Sequence, residues 1–182
     1  MNVIDTKIPD VKLLEPKVFG DARGFFLESY NKKTLAKILG IDHEFVQDNH
    51  SYSSQGVLRG LHYQLQNPQG KLIRILSGSV HDVAVDMRQS SPTFGQWVSF
   101  TLSADNKRIA WIPAGFAHGF LVTSPTCDFL YKCTDYYNPQ AEQCLLWNDP
   151  ALNIDWPTTI IPLISPKDSQ GKPFKDCVSF KF

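Results

Sequence analysis

The chain has 182 residues, of which 42% are apolar and 20% charged, and its formal net charge is +0. These values describe a soluble globular chain, expected to form a single domain over 1–182 with a core that needs no staples. They argue against a protein that mainly grips nucleic acid, which carries a basic excess, and no stretch is apolar for long enough to form a membrane helix.

The opening segment, MNVIDTKIPDVKLLEP, lacks an apolar core of signal-peptide type, so a cytoplasmic location is expected. DARGFFLESYN follows, with Arg23, Phe26 and Glu28. NKKTLAKILG reads as a helix: Asn31 caps its start, Gly40 fits the position just past its end, and Leu35, Ile38 and Leu39 form its apolar stripe. Strand signals then come in quick succession. FVQDNHSYSSQ carries Gln47 and Asn49, and GVLRGLHYQ carries Arg59 and His62. On a flat strand Leu58, Gly60, His62 and Gln64 share one face, and Arg59, Leu61 and Tyr63 share the other. If Arg59 and His62 are to reach one pocket, the alternation must break, and Gly60 is the candidate for a bulge.

KLIRILSGSVHDVAVDMR reads as two strands joined by a tight turn at Ser77-Gly78-Ser79. Lys71 shares a face with Ile73 and Ile75; it is either an inward lysine with a partner or a task, or an exposed strand-end lysine. In the second strand His81, Val83, Val85 and Met87 share one face, and Asp82, Ala84, Asp86 and Arg88 the other. QWVSFTLS and KRIAWIP are split by the turn residues Ala104-Asp105-Asn106, and HGFLVTS, DFLYKCTDYY and QCLLWND complete the strands. Tyr131 shares a face with Phe129 and Cys133, as a core tyrosine would. A shorter helix is expected between Asp149 and Trp156. SPKDSQGKPFKD reads as a loop, in which Asp168 would ordinarily be solvated. Many short strands punctuated by Gly and Pro imply an all-β sandwich or barrel with one or two short helices.

The four cysteines, Cys127, Cys133, Cys144 and Cys177, show no C-x-x-C pair. Neither a zinc site nor a redox motif is signalled, and no disulfide is expected. IPAGFAHGF places His118 after a Pro-x-Gly turn and resembles the second motif of the cupin superfamily. Metal-binding cupins open their first motif with H-x-H and follow it with a glutamate. This chain has His62-Tyr63-Gln64, and LQNPQGKL offers no carboxylate. A catalytic metal wants three His or carboxylate ligands at fixed spacing, so no metal and no cofactor are expected.

Taken together, DARGFFLESYN, FVQDNHSYSSQGVLRGLHYQ, IPAGFAHGF and YKCTDYYNP resemble the dTDP-4-dehydrorhamnose 3,5-epimerase family, in order and over nearly the whole chain. The resemblance implies a metal-free jelly-roll barrel, a double-stranded β-helix of cupin type, working as a homodimer on a dTDP-sugar. The implied reaction converts dTDP-4-dehydro-6-deoxy-D-glucose to dTDP-4-dehydro-L-rhamnose by inversion at carbons 3 and 5. It also implies roles: His62 as base, oriented by Asp168; Tyr131 as acid; Lys71 at the enolate oxygen with His118 nearby. Arg59 and Arg23 would hold the diphosphate. Phe26, Glu28, Gln47, Asn49, Glu142 and Lys167 would line the sugar and nucleotide, and Tyr137 would stack on thymine. A single-centre epimerase or ketoisomerase of a related sugar shares most of these residues. A non-catalytic sugar-nucleotide-binding cupin is disfavoured by the intact acid, base and lysine set.

Overall fold

The computed structural model describes residues 1–40 and 43–182. Its strands are β1 (Asn2–Asp5), β2 (Lys12–Glu15), β3 (Val18–Asp21), β4 (Gly24–Leu27), β5 (Gln47–Ser54), β6 (Val57–Gln64), β7 (Lys71–Ser77) and β8 (Ser79–Asp86). They continue with β9 (Trp97–Ser103), β10 (Ile109–Ile112), β11 (Phe116–Val122), β12 (Thr126–Cys133), β13 (Glu142–Cys144) and β14 (Leu163–Ile164). One α-helix, α1 (Lys32–Leu39), and two 3₁₀ turns, Asp168–Gln170 and Phe174–Asp176, accompany them.

The first sheet has the order β1-β2-β10-β7-β12-β5, the second β13-β6-β11-β8-β9 with β14 added in parallel to β6. From β5 to β12 the strands pair as nested antiparallel partners: β5 with β12, β6 with β11, β7 with β10, β8 with β9. This is the winding of a jelly roll, and the all-β expectation holds. One turn differs from the simplest reading. Ser77-Gly78-Ser79 is tight, but β7 and β8 lie in opposite sheets rather than pairing.

Three apolar layers follow from strand alternation. Ile73, Ile75, Val80, Ala84, Phe120 and Phe129 belong to the cluster between the sheets. Val83, Val85 and Met87 point the other way and are covered by Leu152, Trp156 and Phe180 from the C-terminal segment. Helix α1 lays Leu35 over Leu14, Leu72 and Trp111 on the outside of the first sheet. Its ends are as expected: the Asn31 side chain accepts from the Thr34 N–H at 3.2 Å, and Gly40 is left-handed and donates to the Ala36 carbonyl.

The second helix expected at Asp149–Trp156 is absent. The Asp149 carbonyl accepts from Leu152 and Asn153, its side chain accepts from Ala151, and Asn153 then turns left-handed at φ 48°. A single turn forms and stops. No helix among the described residues is long and apolar enough to cross a membrane.

Candidate active site

The flat-strand reading of β6 is corrected by its pairing with β11. His118 faces His62 and Phe120 faces Arg59, so β6 holds one extra residue between the two pairs. That bulge inverts the alternation. Leu58 lies in the outer apolar layer before it, and Leu61 and Tyr63 after it. Arg59 and His62 therefore line one cavity. Gly60 permits this: it has φ +116°, and a Cβ there would lie 2.6 Å from both the Gly119 Cα and the His118 carbonyl oxygen.

The cavity, about 710 Å³, opens between the two sheets and is lined by residues from β5, β6, β7, β11 and β12. His62 Nε2 lies 2.6 Å from Asp168 Oδ1, within hydrogen-bond distance. Asp168 was expected in a solvated loop; instead it starts a 3₁₀ turn and is only 4% exposed. Burial works against its ionised form, but the His62 bond, the His62 charge and hydrogen bonds from the Gly60 N–H and Ser165 outweigh it, holding the carboxyl below its ordinary range. The other ring nitrogen of His62 lies 4.0 Å from Glu142 Oε1. Glu142 Oε2 accepts from Lys167 and, at 2.7 Å, from the Tyr137 hydroxyl.

Tyr131 enters from the facing sheet, on β12, and lines the same cavity. Burial, with Cys133 and Glu142 nearby, pushes its phenol up to about 12, so it is protonated at neutral pH. Lys71, at the start of β7, also faces this cavity, which decides against the exposed strand-end reading. Burial pushes its ammonium down, while Cys133, Asp82 and Glu142 work in the opposite direction. His118 is buried, and its Nε2 lies 3.0 Å from Asp82 Oδ2. Burial lowers its pKa despite that carboxylate. Phe120 and Phe129 stack at 4.0 Å beside it and form an apolar wall. At the rim, Arg59 donates to Ser53 Oγ at 3.2 Å, and Gln47 donates to Asn49 and accepts from the Tyr137 N–H.

The sequence profile of the dTDP-4-dehydrorhamnose 3,5-epimerases matches residues 5–176. The chain belongs to the dTDP-4-dehydrorhamnose 3,5-epimerase family. It is 61% identical over 173 residues to the dTDP-4-dehydrorhamnose 3,5-epimerase of Pseudomonas aeruginosa, covering 95% of this chain and 96% of that one. The Shigella flexneri enzyme of the same name is 57% identical over 181 residues, 99% of each chain. Among solved structures, the dTDP-6-deoxy-D-glucose-3,5-epimerase RmlC of Legionella pneumophila, in complex with dTDP-4-keto-L-rhamnose, superposes with a TM-score of 0.97 at 53% identity, covering 100% of this chain and 98% of that one. The molecule is accordingly a cupin-fold isomerase of the dTDP-4-dehydrorhamnose 3,5-epimerase type.

Within this epimerase fold the expected residues divide into two groups. His62, Lys71, His118, Tyr131, Asp168, Asn49, Arg59 and Lys167 line the main cavity; Tyr137 and Glu142 line an adjoining recess that shares His62, Lys71 and Tyr131. Gln47 joins them through Asn49 and Tyr137. Arg23, Phe26 and Glu28 do not converge there. Arg23 pairs with Asp21 at the tip of the β3–β4 hairpin, Phe26 is 70% exposed on the same hairpin, and Glu28 accepts from Asn31 before α1. Asp82 was missed as a site residue. Its signal was a carboxylate inside an otherwise apolar strand, on the face shared with Ala84. Gln64, where metal-binding cupins have a histidine, is buried and holds the 134–138 loop: it donates to the Asn67 and Tyr136 carbonyls and accepts from the Asn138 N–H.

Proposed function

We propose that residues 1–182 act as one epimerase domain that inverts carbons 3 and 5 of dTDP-4-dehydro-6-deoxy-D-glucose through enolates of the carbon-4 ketone. One observation carries this reading: a histidine on one sheet, paired with the carboxylate of a 3₁₀ turn, faces a protonated phenol on the other sheet across one cavity. A sugar ring between them meets a base on one face and an acid on the other. His62 removes the proton from carbon 3 or 5, and Asp168 steadies the resulting imidazolium. The electron pair moves to the ketone oxygen, where Lys71 supplies charge, with His118 beside it. Tyr131 returns a proton on the opposite face. One inversion leaves His62 protonated and Tyr131 a phenolate, so both exchange with solvent before the second.

Arg59 suits the diphosphate, since its guanidinium fork matches phosphate oxygens. Asn49, Gln47, Glu142 and Lys167 line the sugar and nucleotide, and Tyr137 offers a ring for thymine. We further propose a homodimer in which Arg23, Phe26 and Glu28 complete the site of the other copy. The four free cysteines accord with a reducing, cytoplasmic setting.

The test is incubation with the 4-keto sugar nucleotide in deuterated water, with a chelator present throughout. Wild-type protein should exchange and invert both centres at the full rate. His62→Ala should lose exchange and inversion together. Tyr131→Phe should keep exchange while inversion falls roughly 10²–10⁴-fold, because His62 can return the proton to the face it left. Normal inversion by Tyr131→Phe would remove the phenol from the acid role. Exchange at one centre alone would mark a single-centre epimerase.

A further inference from the structure

Cys144 takes no part in the chemistry assigned above, yet it stands beside the base. It faces His62 in the β13–β6 register, so the two side chains leave the same face of the sheet. Asp168 reaches His62 from the 3₁₀ turn. An imidazole nitrogen, the Cys144 sulfur and a carboxylate oxygen of Asp168 all lie within 4.8 Å of one another. The thiol has little to give up: its nearest acceptors, the carbonyls of Gly60, Leu145 and Asp168, are 3.9, 3.8 and 4.0 Å away.

Imidazole, thiolate and carboxylate together form a donor set suited to zinc, and three protein ligands leave a fourth position for water. Tetrahedral bonds of about 2.0–2.3 Å set ligand atoms roughly 3.3–3.6 Å apart. The His62–Asp168 pair must then open by less than about 1 Å while the thiol draws in by a similar amount.

We propose that Zn²⁺, as a thiophilic divalent ion, binds at His62, Cys144 and Asp168 and inhibits the enzyme by occupying the base. The thiol S–H bond breaks, an S–Zn bond forms, and the proton passes to solvent; nothing is oxidised or reduced. The ion is an inhibitor, not a cofactor. Its binding does not depend on the role given to His62, whereas inhibition does.

The test separates the two on the full chain. Co²⁺ is the spectroscopic probe, and Zn²⁺ is titrated against turnover, each variant compared with its own chelated rate. Wild-type protein should show a sulfur-to-cobalt charge-transfer band and the intense visible bands of a tetrahedral ion. Both should vanish in Cys144→Ala and Cys144→Ser, two variants chosen so that one packing failure does not decide the matter. The half-inhibitory Zn²⁺ concentration should rise at least ten-fold in both, since losing a direct ligand costs no less than the roughly 10–100-fold lost with an outer-shell partner. His62→Ala should weaken the cobalt bands. No charge-transfer band in wild type, equal zinc sensitivity with and without Cys144, or full-strength bands in His62→Ala would each overturn the site. Bands that require Cys144 and His62 alongside undiminished turnover would leave the metal site standing and overturn His62 as the base.

Discussion

A 2.6 Å bond to a buried carboxylate does more for His62 than hold it in place. It fixes the ring orientation and, in the mechanism proposed above, favours the imidazolium that forms on proton removal. Asp168→Asn keeps the shape and a hydrogen bond but removes the charge. Turnover should fall by about 10²–10⁴-fold with KM little changed, measured by steady-state kinetics; an unchanged kcat would reduce Asp168 to packing. Much of this constellation could be read from residue types. His62, Lys71 and Tyr131 were visible as polar groups on strands, and family resemblance arranged them. Two features were not legible from residue types. Asp168 lies 106 residues from His62, and nothing in SPKDSQGKPFKD itself says which polar residue folds inward, so only the family resemblance pointed to it. Asp82 lacked a partner in the sequence because His118 reaches it only across β11 and β8.

At the level of the element, β6 carries the argument, because one inserted residue moves His62 to the face that Arg59 occupies. Gly60→Ala places a methyl group against backbone on β11, at a φ that alanine resists. It should destabilise the protein by more than about 1 kcal/mol and lower turnover as well, seen as a reduced urea midpoint at constant slope. A second element-level device closes β8. Asp86 is buried and accepts from Arg88, Ser91 and Thr93. Burial opposes its charge, yet these bonds outweigh burial and hold its pKa below the ordinary value. The folded value is thus below the unfolded one of about 3.9. The native state binds fewer protons, so the stabilisation is complete at neutral pH, weakens as pH drops below about 4, and is lost once pH passes the folded value. Asp86→Asn should cost about 3 kcal/mol at pH 7 and flatten the acid limb of the stability curve measured by urea titration. The bulge was legible in part, since a glycine inside GVLRGLHYQ asks for a break. The missing helix at Asp149–Trp156 was not, because the side chain of Asp149 turns back on its own backbone and competes with helical bonding.

For the whole molecule, the hairpin β3–β4 raises the question of what covers it. Phe19, Phe25 and Phe26 are exposed on it, and the Arg23 side chain is 90% exposed. If it completes another copy's site, mixing Arg23→Ala with His62→Ala chains should restore about a quarter of wild-type sites after random exchange. Turnover after confirmed subunit exchange is the measurement, and no recovery would count against shared sites. The nested pairing of the strands has a separate consequence, for the order in which the molecule can be made. β5 waits for β12, and β6 for β11, so the strands that bear Asn49, Arg59 and His62 leave the ribosome with their partners still unsynthesised. At roughly 5–20 residues per second this interval lasts several seconds. His62 meets Asp168 only once the segment bearing Asp168, 106 residues further on, has been made, so the base proposed above is not assembled until that segment has left the ribosome and folded, and epimerase activity would itself be a signal that it has done so.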